Sequence, residues 1–350
     1  MITLKQLSEI CGVSVSTASK AMNGQPDVNT DTAKRIKQIA RDLGYYPNAA
    51  ARSLKTNRSY NLGVLFADRI NHEYFALILD SIREAAKDSG YDITFICNRI
   101  GSSEISFYHY AVYRNCDGVI IAQARYEQTG VVELATSDLP IVVLDHVFPG
   151  RVSIMSENVQ SMVEIMWYAA GMGHRKIAFI HGEERSTVTQ KRISGFYKGC
   201  MELGIRAPEE YVIEAKYHSP KESGLATRRL LSLPSPPTCI LYPDDYSYLG
   251  GLSEIEKHGL SVPEDVSAVG YDGIYLSTLL RPKLTTYHQD AETIGKMAVA
   301  KLIEQIEQPK KSHGEQTIIK GELQLGKSVK QIGDDIRGQS NNETGEVNAL

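Results

Sequence analysis

Three short segments with apolar residues at helical spacing open the chain. The first follows Thr3 in a capping-box pattern, which satisfies free backbone N–H groups at a helix start. Its apolar face holds Leu4, Leu7 and Ile10. A second helix is predicted over residues 15–23 with Ser14 as its N-cap, and a third runs from near Asn29 to Gly44. Three short helices in this order are typical of a helix-turn-helix domain.

The second helix has the composition of a helix that contacts the DNA major groove. Ala18 and Met22 can pack inward. The residues left outside are mostly small or polar, with one cation: Val15, Ser16, Ser19, Lys20 and Asn23. Val15 can meet a thymine methyl and Ser16 can make a single hydrogen bond, while Lys20 is a candidate for guanine. The alternative is a plain three-helix domain that contacts other proteins.

The distribution of charge favours DNA over a protein partner. Residues 1–60 hold nine Lys and Arg against four Asp and Glu, a net charge of +5. The whole chain carries −4, so the remaining residues carry −9. A basic head on an acidic body is expected when only the head meets phosphate.

Beyond residue 60, apolar strand patterns alternate with helical patterns. The first set of strand candidates is residues 62–66, 93–97, 118–122 and 141–144, and the second set is residues 176–181, 238–242 and 266–271. Near-continuous apolar strands that alternate with helices predict parallel sheets covered on both faces. Two such sets predict two doubly wound lobes, and ligands bind such sheets at the carboxyl ends of the strands.

The composition is that of an ordinary globular chain of 350 residues, 42% of them hydrophobic and 23% charged. No apolar run is long enough to span a membrane and the N-terminus does not resemble a signal peptide, so we expect a cytoplasmic protein. Five scattered cysteines are expected to be reduced thiols that fill small core spaces: Cys11, Cys97, Cys116, Cys200 and Cys239. Residues 334–350 are polar and acidic and are expected to form a disordered tail.

Several runs of residues resemble the lac/galactose repressor (LacI/GalR) family. Residues 3–14 look like the first helix and turn of that family, residues 16–24 like its recognition helix, and residues 43–54 like its hinge. The similarity continues to about residue 329, with Gly270-Tyr271-Asp272 as a late landmark. The resemblance implies a transcriptional regulator whose affinity for DNA is controlled by a small effector. Of the two kinds of regulator, a repressor is expected.

The same resemblance implies the architecture. It is an N-terminal all-α helix-turn-helix domain with a hinge helix, joined to an α/β two-lobed effector domain like that of periplasmic binding proteins. The implied boundaries are 1–45 for the helix-turn-helix domain, 46–59 for the hinge, 60–158 and 290–319 for the first lobe, and 159–289 and 320–329 for the second lobe.

The residues expected to meet DNA lie in the first domain and the hinge. They are Thr3, Leu4, Ser14, Val15, Ser16, Thr17, Ser19, Lys20, Asn23, Asn29, Tyr45, Asn48, Ala51, Leu54 and Lys55. By itself, the segment from Asn48 to Lys55 is too short for a stable helix, so a flexible linker is the alternative. In the family this segment forms a minor-groove helix, and a leucine at the position of Leu54 wedges between base pairs. Ala51 is expected to let two hinge helices approach closely, and Lys55 to lie along either the groove floor or the phosphates.

Family positions that contact the effector correspond to nine residues of this chain: Tyr74, Phe75, Asp145, Val188, Arg192, Tyr217, Asp244, Asp272 and Gln289. Asp145, Asp244 and Asp272 each follow a predicted strand, although any one of them alone could be a helix cap or a surface acid. The chain departs from the family at Asp244, where Asn is usual, and at Ala291, where an aromatic residue is usual.

The chemistry of these positions predicts the kind of effector. One Arg fork can bridge neighbouring hydroxyls, carboxylates accept from sugar O–H groups, and three carboxylates against one Arg repel an anion. We therefore expect a neutral sugar or glycoside, with a purine-like base as the alternative. A sugar effector makes carbohydrate-utilisation genes the expected target.

Signatures of enzymes on doubly wound folds are absent from the sequence. It has no G-x-G-x-x-G after a strand, no P-loop, no G-x-S-x-G elbow and no H-E-x-x-H. The nine histidines are dispersed, so we expect neither catalysis, nor a cofactor, nor a metal site. An exported sugar-binding protein would share the body but would have no use for a basic head.

The active species is expected to be a homodimer, because a palindromic operator requires two-fold symmetry. Its interface is predicted along the first lobe, on a helix over residues 75–89. That helix carries the apolar residues Leu77, Ile78 and Ile82. They are expected to be more apolar side chains than the sheet of their own lobe can bury. A tetramer is not expected, because the polar tail has no leucine heptads.

Overall fold

The computed structural model describes residues 2–46, 58–66, 72–309 and 314–333. Within them the chain forms a three-helix N-terminal domain and two α/β lobes, each built on a six-stranded sheet. The predictions for the disordered tail and for four hinge residues fall outside the described residues: Asn48, Ala51, Leu54 and Lys55.

The N-terminal domain consists of α1 (Leu4–Ile10), α2 (Val15–Met22) and α3 (Thr30–Asp42). The predicted helix starts are confirmed: Thr3 and Gln6 form a complete capping box, and Ser14 and Asn29 each cap a helix through the side-chain oxygen. The three helices enclose a small core of Leu7, Cys11, Ala21, Ile36, Ala40 and Tyr45. Ile10 is 56% exposed and stays outside this core.

The sheet of the first lobe is parallel throughout. Its strands are β1 (Asn61–Phe66), β2 (Asp92–Ile96), β5 (Gly118–Gln123), β6 (Ile141–Leu144), β7 (Val152–Ser156) and β13 (Gln316–Ile319), and a separate small hairpin is formed by β3 (Arg99–Ile100) and β4 (Ser103–Glu104). The strand order is β13-β7-β6-β5-β1-β2. One face is covered by α4 (Glu73–Asp88) and α12 (Ala291–Glu307), and the other by α5 (Phe107–Tyr113) and α6 (Thr129–Thr136).

The sheet of the second lobe has the order β14-β12-β11-β10-β8-β9, for β8 (Ile177–His181), β9 (Val212–Glu214), β10 (Cys239–Leu241), β11 (Ser267–Asp272), β12 (Thr285–His288) and β14 (Glu322–Gln324). Only the edge pair β12 and β14 is antiparallel among these strands. One face is covered by α7 (Asn158–Gly171) and α8 (Thr187–Leu203), and the other by α9 (Pro220–Leu231) and α10 (Asp245–Lys257). A short helix, α11 (Tyr275–Leu279), and a 3₁₀ turn (Glu209–Tyr211) complete the lobe.

All seven predicted strands are confirmed to within one residue at each end. In the described chain the backbone passes between the lobes three times: between β7 and α7, between β12 and α12, and between β13 and β14. The sheet assignments place β13 with the first lobe and β14 with the second, while the domain boundaries residue by residue stay predictions.

Two expectations about surface residues are wrong. Ile78 and Ile82 are 1% and 0% exposed and pack into the core of their own lobe, so they are not left over for a dimer interface; Leu77, at 44%, is exposed. Cys97 is exposed, whereas the other four cysteines are buried as expected. None of the helices in the described ranges is long and apolar enough to cross a bilayer.

Candidate ligand site and DNA-binding surface

A cavity of about 580 Å³ opens between the two lobes. Eight of the nine predicted effector residues line it: Tyr74, Phe75, Asp145, Val188, Arg192, Tyr217, Asp272 and Gln289. These side chains come from both lobes and from positions up to 215 residues apart in the chain. The fold therefore brings together a set that the sequence scatters.

Asp145 and Asp272 occupy the positions expected for ligand-binding acids. Asp145 follows β6 directly and Asp272 is the last residue of β11. Both have a left-handed backbone, with φ of 56° and 99°, a conformation that non-glycine residues rarely adopt and that clusters at functional sites. Burial raises the pKa of both carboxyl groups, and the nearby Asp244 raises that of Asp272 further.

Arg192 is the buried cation of the site. It projects from α8, is 4% exposed, and donates from Nε to Asn158 Oδ1 at 2.8 Å and from Nη1 to the carbonyl of Pro243 at 3.1 Å. Its guanidinium carbon lies 3.5 Å from the centroid of the Tyr271 ring, close enough for a cation–π contact. Burial alone would lower the pKa of Arg192, but Tyr271 and other neighbours, including the two site acids, raise it, so the group stays charged.

Aromatic rings form the walls. Tyr74 and Phe75 lie with ring centroids 5.3 Å apart at the first-lobe side. Tyr126 and His146 stack nearly parallel, 4.3 Å apart with 5° between their planes, and the Tyr126 hydroxyl donates to the carbonyl of Leu144 at 2.6 Å. Tyr217 lies opposite and shares a hydrogen bond of 2.9 Å with the Thr189 hydroxyl. These walls are flat and apolar, with hydrogen-bonding groups at their edges.

Sequence reasoning missed most of the remaining lining residues: Ala122, Gln123, Ala124, Arg125, Tyr126, Glu127, Glu183, Arg185, Ser186, Thr187 and His218. All but His218 lie at or just after the carboxyl end of β5 or β8. The rule that ligands bind at strand ends was therefore a signal that could have found them.

Asp244 is the one predicted effector residue that the cavity wall does not include. It is 1% exposed and caps α10, accepting from Ser247 N at 2.7 Å and from Ser247 Oγ at 2.8 Å. It also accepts from the backbone N–H of His218 at 2.9 Å. Burial alone would raise the pKa of Asp244, but the contacts with His218 and Ser247 lower it. In this arrangement Asp244 holds a wall residue in place.

The predicted DNA contacts lie on the helix-turn-helix domain as follows. Val15, Ser16, Lys20 and Asn23 are exposed on or next to α2, with Thr17 and Ser19 half-buried beside them, and Thr3, Ser14 and Asn29 are exposed at helix starts. Leu4 is half-buried, and Tyr45 packs into the domain core at 9% exposure. Lys20 forms an exposed salt bridge with Asp27.

Comparisons with known proteins agree with a helix-turn-helix domain followed by a two-lobed ligand-binding domain. Residues 3–48 match the family of bacterial regulatory proteins of the lacI family, and residues 168–329 match the periplasmic binding protein-like domain. The chain is 32% identical over 337 residues to the HTH-type transcriptional repressor PurR of Histophilus somni, a match that covers 95% of this chain and 100% of that protein.

Solved structures show the same fold. The lac repressor dimer bound to operator and the anti-inducer ONPF superposes with a TM-score of 0.79 at 24% identity, over 94% of this chain and 99% of that chain. The complex of the transcriptional regulator CelR with cellobiose has a TM-score of 0.70 at 20% identity, over 94% of this chain and 100% of that one. The chain belongs to the LacI family of DNA-binding transcriptional regulators, with a helix-turn-helix head and a two-lobed domain of the periplasmic-binding-protein type.

Proposed function

We propose that the chain is a repressor of carbohydrate-utilisation genes, and that a neutral sugar or glycoside between the lobes controls its binding to a palindromic operator. The observation that carries the proposal is the cavity itself. It holds a buried Arg192 near two buried acids, Asp145 and Asp272, with aromatic rings on its walls.

The polar groups suit a ligand with many hydroxyls. Within the described residues Arg192 uses two of its five N–H groups in hydrogen bonds to the protein, so the others can bridge ligand oxygens. Asp145 and Asp272 accept from hydroxyl groups when ionised, and their raised pKa values allow them to donate as well when protonated. The faces of Phe75 and Tyr217 can cover the apolar face of a sugar ring.

The charge of the cavity supports a neutral ligand. Its wall carries four carboxylates and three guanidinium groups. The excess of acid is smaller than the sequence suggested, because Arg125 and Arg185 are present and Asp244 is not in the wall. Burial moves Asp145 and Asp272 toward their neutral forms, which brings the cavity close to balance. A phosphate or sugar acid would find no net cationic field here.

The DNA-binding half of the proposal rests on the exposed face of α2. Val15, Ser16 and Lys20 are the proposed base contacts, and the other exposed or half-buried polar residues named for this domain position it on phosphates. Lys20 must leave Asp27 to reach a base. That exchange costs little, because an exposed ion pair contributes little to stability.

The two halves are coupled through a homodimer. Two hinge helices, with the Leu54 side chains as wedges, stand together in the minor groove only at one spacing of the first lobes. A ligand that closes the lobes changes that spacing, and it can shift the equilibrium only by its differential affinity for the two forms. A solved protein of the same fold is a complex with cellobiose, which supports a neutral sugar as the kind of ligand.

The test begins with selection of genomic DNA fragments by the purified protein, which yields the operator. Operator binding is then measured with neutral sugars and glycosides, sugar phosphates and purines. A response to neutral sugars is expected; a response to phosphates or purines alone would contradict the sugar assignment, and selection of no palindrome would contradict the DNA assignment.

A pair of variants tests the base contacts. Lys20→Ala and Lys37→Ala each remove one exposed cation of the same domain. Only Lys20→Ala is expected to relax base preference within a half-site, so an unchanged preference would remove Lys20 from base recognition.

A further inference from the structure

Two histidines and an aspartate from opposite lobes meet beside the ligand cavity. His72 lies at the start of α4 in the first lobe, and His218 and Asp272 belong to the second lobe. One potential ligand atom from each residue lies within 4.8 Å of the other two. Sequence reasoning expected no metal site because the histidines are dispersed along the chain; the fold brings two of them together across 146 positions.

The cluster contains buried nitrogen atoms that make no hydrogen bond. His72 is 6% exposed, and neither its Nε2 nor the Nδ1 of His218 makes a hydrogen bond within the described residues. The nearest carboxyl oxygens lie 3.5 Å from the first nitrogen and 3.4 Å from the second. The two rings lie with centroids 3.2 Å apart. Buried polar atoms without hydrogen-bond partners are rare in folded proteins, and one explanation for such atoms is that they bind an ion.

We propose that His72, His218 and Asp272 bind one transition-metal dication of the Zn²⁺ class, which links the two lobes next to the effector cavity. Imidazole and carboxylate ligands in this ratio suit Zn²⁺ or Co²⁺, whereas Ca²⁺ and Mg²⁺ prefer oxygen ligands alone. Tetrahedral bonds of about 2.0–2.1 Å place two ligand atoms roughly 3.3 Å apart. His72 Nε2 and Asp272 Oδ2 are separated by 3.5 Å.

Neighbouring groups hold the ligands in the way that outer partners of metal sites do. Gln289 Nε2 donates to Asp272 Oδ1 at 2.6 Å, which leaves Oδ2 toward His72. Asp244 accepts from the backbone N–H of His218, and its Oδ1 lies 3.4 Å from His218 Nδ1. Two carboxyl groups therefore face the histidine pair.

His72 can offer Nε2 to a metal when the proton of its neutral ring lies on Nδ1. Nδ1 accepts from the backbone N–H of Phe75 at 3.4 Å, so metal binding costs this one long hydrogen bond.

Three protein ligands leave a fourth position of a tetrahedral ion for water or a bound molecule. Because His218 and Asp272 also line the cavity, that position can serve an oxygen of the effector. This last consequence rests on the proposed function, whereas metal binding itself does not.

The test is a Zn²⁺ titration of the full chain against a chromophoric chelator, without DNA or sugar. One ion per chain is expected for the parent protein. His72→Gln and His218→Gln are each expected to lower the Zn²⁺ affinity by more than about tenfold. Removing a residue that only hydrogen-bonds to a metal ligand already costs at least about tenfold, so removing a ligand itself should cost more. The matched control is His109→Gln: His109 is exposed and lies 3.8 Å from Glu133, the kind of surface pair that holds a metal adventitiously.

The proposal is overturned if the parent takes up no Zn²⁺, or if the His72 and His218 variants bind it as the parent does. X-ray absorption of the Zn²⁺-loaded parent gives a second readout that needs no variant. Scattering from two imidazole rings is expected, and its absence would also overturn the site. Failure of the parent protein to bind any operator or any sugar, with the metal bound, would count against the proposed function alone.

Discussion

Arg192 should set the sensitivity of the protein to its effector. It is almost wholly buried, lies near both site acids, and has N–H groups that the described protein does not use. Replacing it with Ala removes at least one hydrogen bond between a charged group and the ligand, which contributes about 1.5–3 kcal/mol. The effector concentration for half-response should therefore rise roughly 10- to 150-fold.

A graded series separates charge from geometry. Arg192→Lys keeps the positive charge but loses the planar fork, so its response should fall between those of the parent and Arg192→Ala. Arg206→Ala serves as the matched control, because Arg206 is exposed and away from the cavity. Circular dichroism must first show that each variant is folded, since Arg192→Ala also strands Asn158 Oδ1 and the Pro243 carbonyl.

The assay is fluorescence anisotropy of a labelled operator during titration with the active sugar. Operator affinity without sugar should be nearly the same in all four proteins, because the DNA-binding residues lie in another domain. A folded Arg192→Ala protein that responds at the concentrations of the parent would refute the assignment of Arg192 to the ligand.

Three further predictions concern stability. Gly250→Ala should unfold or severely destabilise the second lobe, because the added carbon would lie 1.7 Å from the Pro220 carbonyl oxygen. The control Gly171→Ala should be tolerated, because no atom lies within 4 Å of its added carbon. Thermal melting of the two variants checks this difference. Thr3→Ala should cost about 1 kcal/mol through loss of the cap on α1, measured by denaturant unfolding of the helix-turn-helix signal, and an unchanged midpoint would contradict the cap. Burial raises the pKa of Asp245 to about 8, so the folded protein holds a proton on this group that the unfolded chain releases near pH 4. The resulting stabilisation is complete below pH 4 and is lost as the pH rises to about 8. The free energy of unfolding falls by at most about 1.4 kcal/mol per pH unit in this window. Asp145 and Asp272, whose pKa values are also raised, add slopes of the same sign in both proteins. Unfolding free energies between pH 5 and pH 8 should therefore fall more steeply in the parent than in Asp245→Asn, and equal slopes would contradict the buried neutral acid.

Sequence patterns were sufficient to predict the features that depend only on residues close together in the chain. The capping box at Thr3 and the cap at Ser14 depend on residues within one helical turn, and both are present. Six strands inside the two sheets were found because both faces of each are buried, which favours an unbroken apolar run. The interior strands β7 and β12 were not predicted, because Ser and Thr interrupt their apolar pattern. Edge strands β9 and β14 escaped because each has three residues and is only partly buried, so the run is short and mixed.

The site was predictable only in part, for a physical reason. Asp145 and Asp272 follow strands, and the strand-end rule together with the family resemblance located both. Asp244 also follows a strand, but its carboxylate turns back to cap α10 and to hold His218, a choice that depends on tertiary contacts. The approach of His218 to His72 depends on how two lobes meet, and periodicity within one segment carries no information about that.

The central claim is that one small ligand and one DNA operator bind to different parts of this chain and influence each other. Isothermal titration of the active sugar into the free protein and into the protein–operator complex tests it most directly. The sugar affinity should differ between the two by the same factor by which the sugar changes operator affinity, a coupling of about 1–3 kcal/mol or 5- to 150-fold. Equal sugar affinities with and without operator would contradict the account, because a ligand that does not distinguish the two states cannot control the DNA complex.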